Sequence, residues 1–149
     1  MADAPSLDDL YSQRILRLAA DIGRIGRLPA PGARVSAVSP LCGSKVTVDL
    51  VMEGDRVTDF AHEVKACALG QTAASVMAAH VVGSDAAELR ALRETMRAML
   101  KEGGPPPEGK WADLEVLTPV RDYKGRHGSV MLTFDAVVRA IDQIESQRG

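Results

Sequence analysis

Val46-Thr47-Val48-Asp49-Leu50-Val51 sets Val46, Val48 and Leu50 against Thr47, Asp49 and Val51, a period of two. Glu53-Gly54-Asp55 then reads as a turn, and a second stretch runs from Arg56 to about Lys65. Alternation of this kind marks strands with one face buried. Two such strands joined by a short glycine turn predict a hairpin, hence an antiparallel sheet. Arg34 to Val38 supplies a third, short strand. Directly after Ala66-Cys67 the pattern changes, and Ala68 to Val82 is rich in Ala and other small residues. That run predicts a helix able to pack closely against its neighbours.

Outward from this centre the chain is mostly helical. Ser6-Leu7-Asp8-Asp9 reads as a helix start, with Ser6 as N-cap and acidic residues favourable to the helix dipole. The helix is expected to reach about Ile22, with Leu7, Leu10, Ile15, Leu18 and Ala19 near one face. Gly23, Gly26, Pro29, Pro31 and Gly32 then break the chain into an irregular connection. Ser84-Asp85 caps another helix, whose Leu89, Leu92, Met96 and Met99 fall at helical spacing and are expected in the core. Gly103 to Gly109 is a breaker segment, and a last helix starts near His127 to Ser129 and uses Val130, Phe134, Val137, Val138 and Ile141. The expectation is one α+β domain over residues 1–149, a small three-stranded antiparallel sheet with helices packed on one face.

At 149 residues the chain is long enough to bury a core without disulfides or metals. With 46% hydrophobic residues, 26% charged and a net charge of −2, nothing recommends a nucleic-acid or membrane partner. Aromatic residues make up only 3%, so the core is left to Leu, Val, Ile, Met and Ala. No stretch approaches the roughly 20 apolar residues of a membrane span. Asp3, Asp8 and Asp9 fit neither a signal nor a transit peptide. A cytoplasmic protein is expected.

The two cysteines, Cys42 and Cys67, are expected to stay thiols in a reducing compartment. Free cysteine is often a small buried hydrophobe. These two differ in context, since Cys42 precedes a glycine in a loop and Cys67 stands where a strand gives way to a helix. A helix N-terminus and nearby cations favour a thiolate, so Lys45 and Lys65 are of interest if they lie close. Both read equally well as solvated strand-end lysines. Arg14, Arg17, Arg24 and Arg27 form a basic run, but Asp8, Asp9 and Asp21 are interleaved with them, the mark of an ordinary solvated face.

Three segments together carry a resemblance. Pro40-Leu41-Cys42-Gly43-Ser44 resembles the Cys-Gly-Asp loop of the NifU/IscU/SufU family of iron–sulfur cluster assembly scaffolds, with Ser44 standing for the Asp. Ala66-Cys67-Ala68 with Ala73-Ala74-Ser75 resembles the family's second motif. Arg126-His127-Gly128-Ser129, followed by Leu132 and Ala136, resembles Arg-x-x-Cys-x-x-Leu-x-x-x-Ala and puts Ser129 at the third cysteine. A second register keeps His127 as the residue before the cysteine and puts Gly128 at the ligand position. The matches at Asp135-Ala136 and Ala140-Ile141 favour Ser129. The long stretch between Cys67 and Ser129 resembles the SufU-type branch.

The resemblance implies an iron–sulfur cluster assembly protein, a scaffold or sulfur acceptor rather than an enzyme. Its implied partners are a cysteine desulfurase and apo iron–sulfur recipient proteins. Cys42 is the implied persulfide acceptor. Cys42 and Cys67 are the remaining metal ligands, Ser44 and Ser129 are degraded ligand positions, and Arg126 lies near the thiols in support or at a partner contact. The implied cargo is a transient iron–sulfur cluster, or zinc.

A four-ligand cluster or zinc site prefers thiolates. A serine hydroxyl holds its proton too tightly to replace one near pH 7. Structural zinc binding totals about 10–16 kcal/mol, so losing two of four anionic ligands argues against a stable metal on one chain. The alternative is then no cofactor at all, in a non-catalytic paralogue that regulates or binds the assembly machinery. A further alternative is a zinc protein using Cys42, Cys67 and His127, since imidazole suits zinc and iron. His62 and His80 rank below His127. His62 lies five residues before Cys67 on a strand and so points to the other face. His80 stands well along the following helix.

Overall fold

The alternation around Val48 becomes the middle strand of a three-stranded antiparallel sheet of order β1-β2-β3. The computed structural model describes residues 12–41 and 43–148. Its elements are α1 (Gln13–Ala20), β1 (Ala33–Ser39), β2 (Ser44–Glu53), β3 (Arg56–Lys65), α2 (Ala68–His80) and α3 (Ala86–Glu102). A 3-10 helix (Gly109–Asp122), a 3-10 turn (Lys124–Arg126) and α4 (His127–Gln147) come after them. Strands β1 and β2 run slightly beyond their expected ends. The helix expected from Ser6 is described only from Gln13, behind an N-cap at Ser12 whose Oγ accepts the Ile15 N–H at 3.3 Å. It ends at Ala20, short of Ile22, and the cap expected at Ser6 lies outside the described residues.

Glu53 pairs with Arg56 across the turn, where Gly54 takes a φ of +59° that a side chain would strain. Directly opposite residues share a face, so Ala37, Val46 and Val64 form one row, Val35, Val48 and His62 the next, and Ala33, Leu50 and Phe60 a third. The helices cover this face. α4 lies across β1 and β2, and α2 packs on α4, α1 and the end of β3. α2 is buried almost all round, which its Ala, Gly and Ser content permits. Thr72 ties it to α1 by donating to the Ile15 carbonyl at 3.0 Å.

The caps agree with the sequence signals. Asp85 accepts the Glu88 N–H at 2.8 Å at the start of α3, while Ser84 donates instead to the His80 carbonyl. Gly103, with φ +70°, ends α3 in the left-handed conformation common at helix C-termini. Met96 and Met99 are fully buried, as a core stripe should be. The stretch after Gly109 is more ordered than its breakers suggest. Trp111, Leu114, Leu117 and Val120 are buried at intervals of three, the repeat of a 3-10 helix. Leu114→Ala is therefore expected to cost about 3 kcal/mol in urea unfolding, against less than about 0.5 kcal/mol for exposed Glu115→Ala. Equal small losses would show that this segment is not core.

The open face carries a buried charge. Asp49 accepts two hydrogen bonds from Arg34, at 2.7 and 2.8 Å, and one from the Leu28 N–H at 2.8 Å. The Arg34 guanidinium, helped by that N–H, holds the Asp49 carboxyl below its usual range. Its stabilisation is then present above the unfolded carboxylate value of about 3.9 and disappears as pH falls through the lower folded value. Asp49→Asn is expected to lower the urea midpoint at pH 7, with the gap to wild type closing as the pH drops below about 4. A gap that ignores pH would refute the ion-pair account.

Candidate functional site

β2 begins, α2 begins and α4 begins at one end of the molecule, and their first residues meet there. Ser44 Oγ and Ser129 Oγ share a hydrogen bond at 3.3 Å, and Ser129 Oγ lies 3.3 Å from Cys67 Sγ. These three side chains come from positions separated by 85 and 62 residues. Ser44 and Ser129 are buried, while Cys67 is half-exposed. Cys42, the other thiol, lies outside the described residues. When Cys67 is a thiolate, Ser129 Oγ–H can donate to it and Ser44 Oγ–H can donate to Ser129, a line of hydroxyls ending on sulfur.

Backbone geometry builds this contact. Cys67 is the N-cap of α2 with extended φ and ψ, and its carbonyl accepts the Gln71 N–H at 2.9 Å. The Gln71 side chain reaches back to the Ala66 carbonyl at 3.0 Å, holding the strand-to-helix corner. A Cβ on Gly70 would come within 2.7 Å of Ser129 Oγ, 2.8 Å of Ala66 Cβ and 3.1 Å of the Ser129 carbonyl. A Cβ on Gly128 would sit 2.9 Å from Ser39 Oγ. α4 thus enters the site past two glycine-sized gaps. Of the two registers open in the third motif, the geometry brings Ser129 to Cys67 and turns Gly128 toward Ser39.

The histidines face elsewhere. His127 is buried, and its Nε2–H donates to the carbonyls of Val120 at 2.9 Å and Arg121 at 3.1 Å. Only Nδ1 keeps a lone pair, and the residue lines a cavity of about 280 Å³ between α3 and α4, beside Arg93, Arg97, Lys101 and Met131. His62 is fully buried on the helix-covered face, edge-on to Phe60, with Nε2–H donating to the Gly23 carbonyl at 2.9 Å. Burial pushes its imidazole below the usual histidine range, and the Gly23 carbonyl only partly offsets this. His80 ends α2, edge-on to Trp111. Among the described residues no group of three or more His, Cys, Asp or Glu is arranged to hold a metal ion.

The cations also divide. Lys45 and Lys65 are cross-strand neighbours on the open face, so their side chains leave the sheet on the side opposite Ser44. Arg126 is half-buried just before α4, and no described residue pairs with its guanidinium. Three of the N-terminal arginines have acidic partners: Arg14 with Asp113 and Glu115, Arg24 with Asp59, and Arg27 with Glu63.

Known proteins share this fold. The profile of the NifU-like N terminal domain matches residues 10–130. The chain belongs to the NifU-like N terminal domain family. A crystal structure of the N-terminal part of a nitrogen-fixing NifU-like protein from Brucella abortus is 57% identical in sequence to this chain. It superposes with a TM-score of 0.93 over 95% of this chain and 98% of that one. The iron–sulfur cluster assembly scaffold protein IscU of Thermotoga maritima is 25% identical over 135 residues, 91% of this chain and 94% of that protein. A protein of Fervidobacterium islandicum assigned as a SUF-system scaffold shares the fold at 20% identity, with a TM-score of 0.82 over 91% of this chain and 99% of that one.

In this NifU-like domain the Gly70 gap makes a direct prediction. Gly70→Ala is expected to lower the Tm, because overpacking by about 1–3 kcal/mol outweighs a helix-propensity gain of about 1 kcal/mol. It should also change the rate at which Cys67 reacts with a thiol reagent. Ser129→Ala added to it should restore part of both, a non-additive pair. Additive effects would show that Gly70 and Ser129 are not in contact.

Proposed function

We propose that this chain is an iron–sulfur cluster assembly protein that receives sulfur from a cysteine desulfurase, as a single cytoplasmic domain over residues 1–149. Family membership and the IscU relative support this reading, and one observation carries it to particular atoms. Three separated segments, each of which resembles a motif of the family in sequence, bring Ser44, Cys67 and Ser129 into hydrogen-bond contact. Cys42 is the persulfide acceptor and Cys67 the second thiol. A thiolate attacks the outer sulfur of the donor's persulfide, a new S–S bond forms as the old one breaks, and the donor leaves as a thiolate. The products are then passed to apo iron–sulfur recipient proteins. On this reading Arg126, with no described ion-pair partner, contacts the partner protein.

The donor set does not fit a stable metal on one chain. Two positions present neutral hydroxyls, already hydrogen-bonded to each other. His127, the candidate replacement ligand, has committed Nε2 to backbone carbonyls, so the zinc reading gains no support. The hydroxyl pair favours one other reading, a paralogue that keeps the partner surface and regulates the machinery.

The test has two arms. After incubation with a desulfurase and cysteine, intact-mass analysis should find the increment of added sulfur on the chain, lost in Cys42→Ser. Anaerobic reconstitution with iron and sulfide should leave wild type colourless, whereas S44D/S129C should gain the absorbance of a cluster. Absence of added sulfur on wild type would leave the regulatory reading. A stable cluster on wild type would overturn the account of the ligand set.

A further inference from the structure

The open face of the sheet is built in rows across the strands, and one row lacks internal compensation. Arg34, Asp49 and Ala61 form a row closed by the Arg34–Asp49 ion pair. Ser36, Thr47 and Glu63 form the next, closed by a hydroxyl pair at 2.8 Å and by Arg27 on Glu63 at 2.7 Å. The last row is Val38, Lys45 and Lys65. Its two ammonium groups are exposed and directly opposite, and no described carboxylate pairs with either. Like charges in that position are unfavourable, so the row gains from any anion laid over it.

The surroundings narrow the kind of anion. Lys45 and Lys65, with Arg27, Thr47 and Glu63, line a cleft of about 200 Å³. Three cations against one carboxylate make this patch positive on a chain whose net charge is −2. Val38, 55% exposed, ends the row; Leu41, 78% exposed, follows in the turn between β1 and β2, its Cδ2 3.9 Å from where a Cβ on Gly125 would sit. A site of mixed lysine and aliphatic character fits a polypeptide with acidic and apolar side chains better than it fits a small ion. Position completes the argument. Lys65 precedes Cys67 by two residues and Lys45 comes directly after Ser44, so whatever covers this row lies beside the end of the sheet that carries Cys67 and Ser44.

We propose that Val38, Leu41, Lys45 and Lys65 form the docking surface for an acidic segment of the sulfur-donating protein. Its carboxylates take charge-assisted hydrogen bonds from the two lysines, and an apolar residue covers Val38 and Leu41. This rests on the sulfur-acceptor reading above. The attraction steers encounter as well as holding the complex.

The experiment uses the full chain and the purified cysteine desulfurase encoded in the same genome. Calorimetry at two salt concentrations gives affinity, and single-turnover mass analysis gives sulfur transfer. K45E/K65E should weaken binding by about tenfold or more, with a smaller salt dependence. K45Q/K65Q should fall between this variant and wild type. K101E, an exposed lysine on α3 without a described partner, should change the affinity less than about twofold. An unchanged Kd in K45E/K65E with sulfur transfer intact would overturn the docking surface and leave the functional reading standing. An equal loss in K101E would reduce the effect to overall charge and also overturn the surface. A wild-type chain that binds no desulfurase and gains no sulfur would fell the functional reading, and the surface with it. Binding to phosphatidylglycerol vesicles, or self-association, that disappears in K45E/K65E would hand the row to another occupant and overturn the proposal.

Discussion

Two helices can begin side by side only if something at their crossing is small, and in this protein that something is Gly70. The Ser129 carbonyl and hydroxyl occupy the space that any side chain on Gly70 would need. Because α4 also lies across β1 and β2, the same contact sets how far Cys67 stands from Ser129 and Ser129 from Ser44. Gly128 does the equivalent at the end of β1, where Ser39 fills the gap. The site is therefore not a loop feature resting on a scaffold. Its distances are inherited from core packing, which is stiff, and that packing aligns the hydroxyls.

Much of the fold was legible because its signals are local. Period-two alternation gave the hairpin, Asp85 and Gly103 marked the two ends of α3, and the Met96 and Met99 spacing gave its buried face. The 3-10 helix was hidden by Gly103 to Gly109 before it and by Pro119 inside it. Yet the spacing of Trp111, Leu114, Leu117 and Val120 is three throughout, a period seldom sustained over so many residues. His62 was half legible. Strand parity puts it with Val48 and Phe60 in the core, but its hydrogen-bond partner, the Gly23 carbonyl, lies 39 residues away and leaves no local mark. The site was the least legible part. Nothing in the neighbourhood of Ser129 points to Cys67, and only resemblance to a family joined the three segments. The position of the lysines, by contrast, was available from alternation alone, which sets Lys45 and Lys65 on the face opposite Ser44.

The function proposed above keeps a geometry while changing its donors. On that reading the Ser129 hydroxyl is close in size to a thiol and keeps the packing against Gly70, while the Ser44 hydroxyl is smaller than a carboxylate. They do not bring negative charge. An aligned but neutral pocket can orient and hydrogen-bond a thiolate, and it has little with which to retain a dication once bound. Accepting sulfur requires one accessible thiolate, whereas holding a cluster requires four good ligands. On the proposed reading, a chain with two thiols is pushed toward transfer and away from storage.

The two faces of one sheet then divide the labour. Ser44 turns inward to the helices and helps set the thiol environment, while Lys45, next in sequence, turns outward to the open face. Val64 and Lys65 make the same division on β3. On the docking proposal, the thiol environment and the partner surface are thus set by alternate residues of β2, while β3 alternates core with partner surface. A shift of pairing by one residue would exchange them, putting the ammonium groups in the core and the valines in water. The apolar core under Val46 and Val64 forbids that slip. The burial that stabilises the fold thus also keeps the charged row on the outside, beside the thiol and not beneath it.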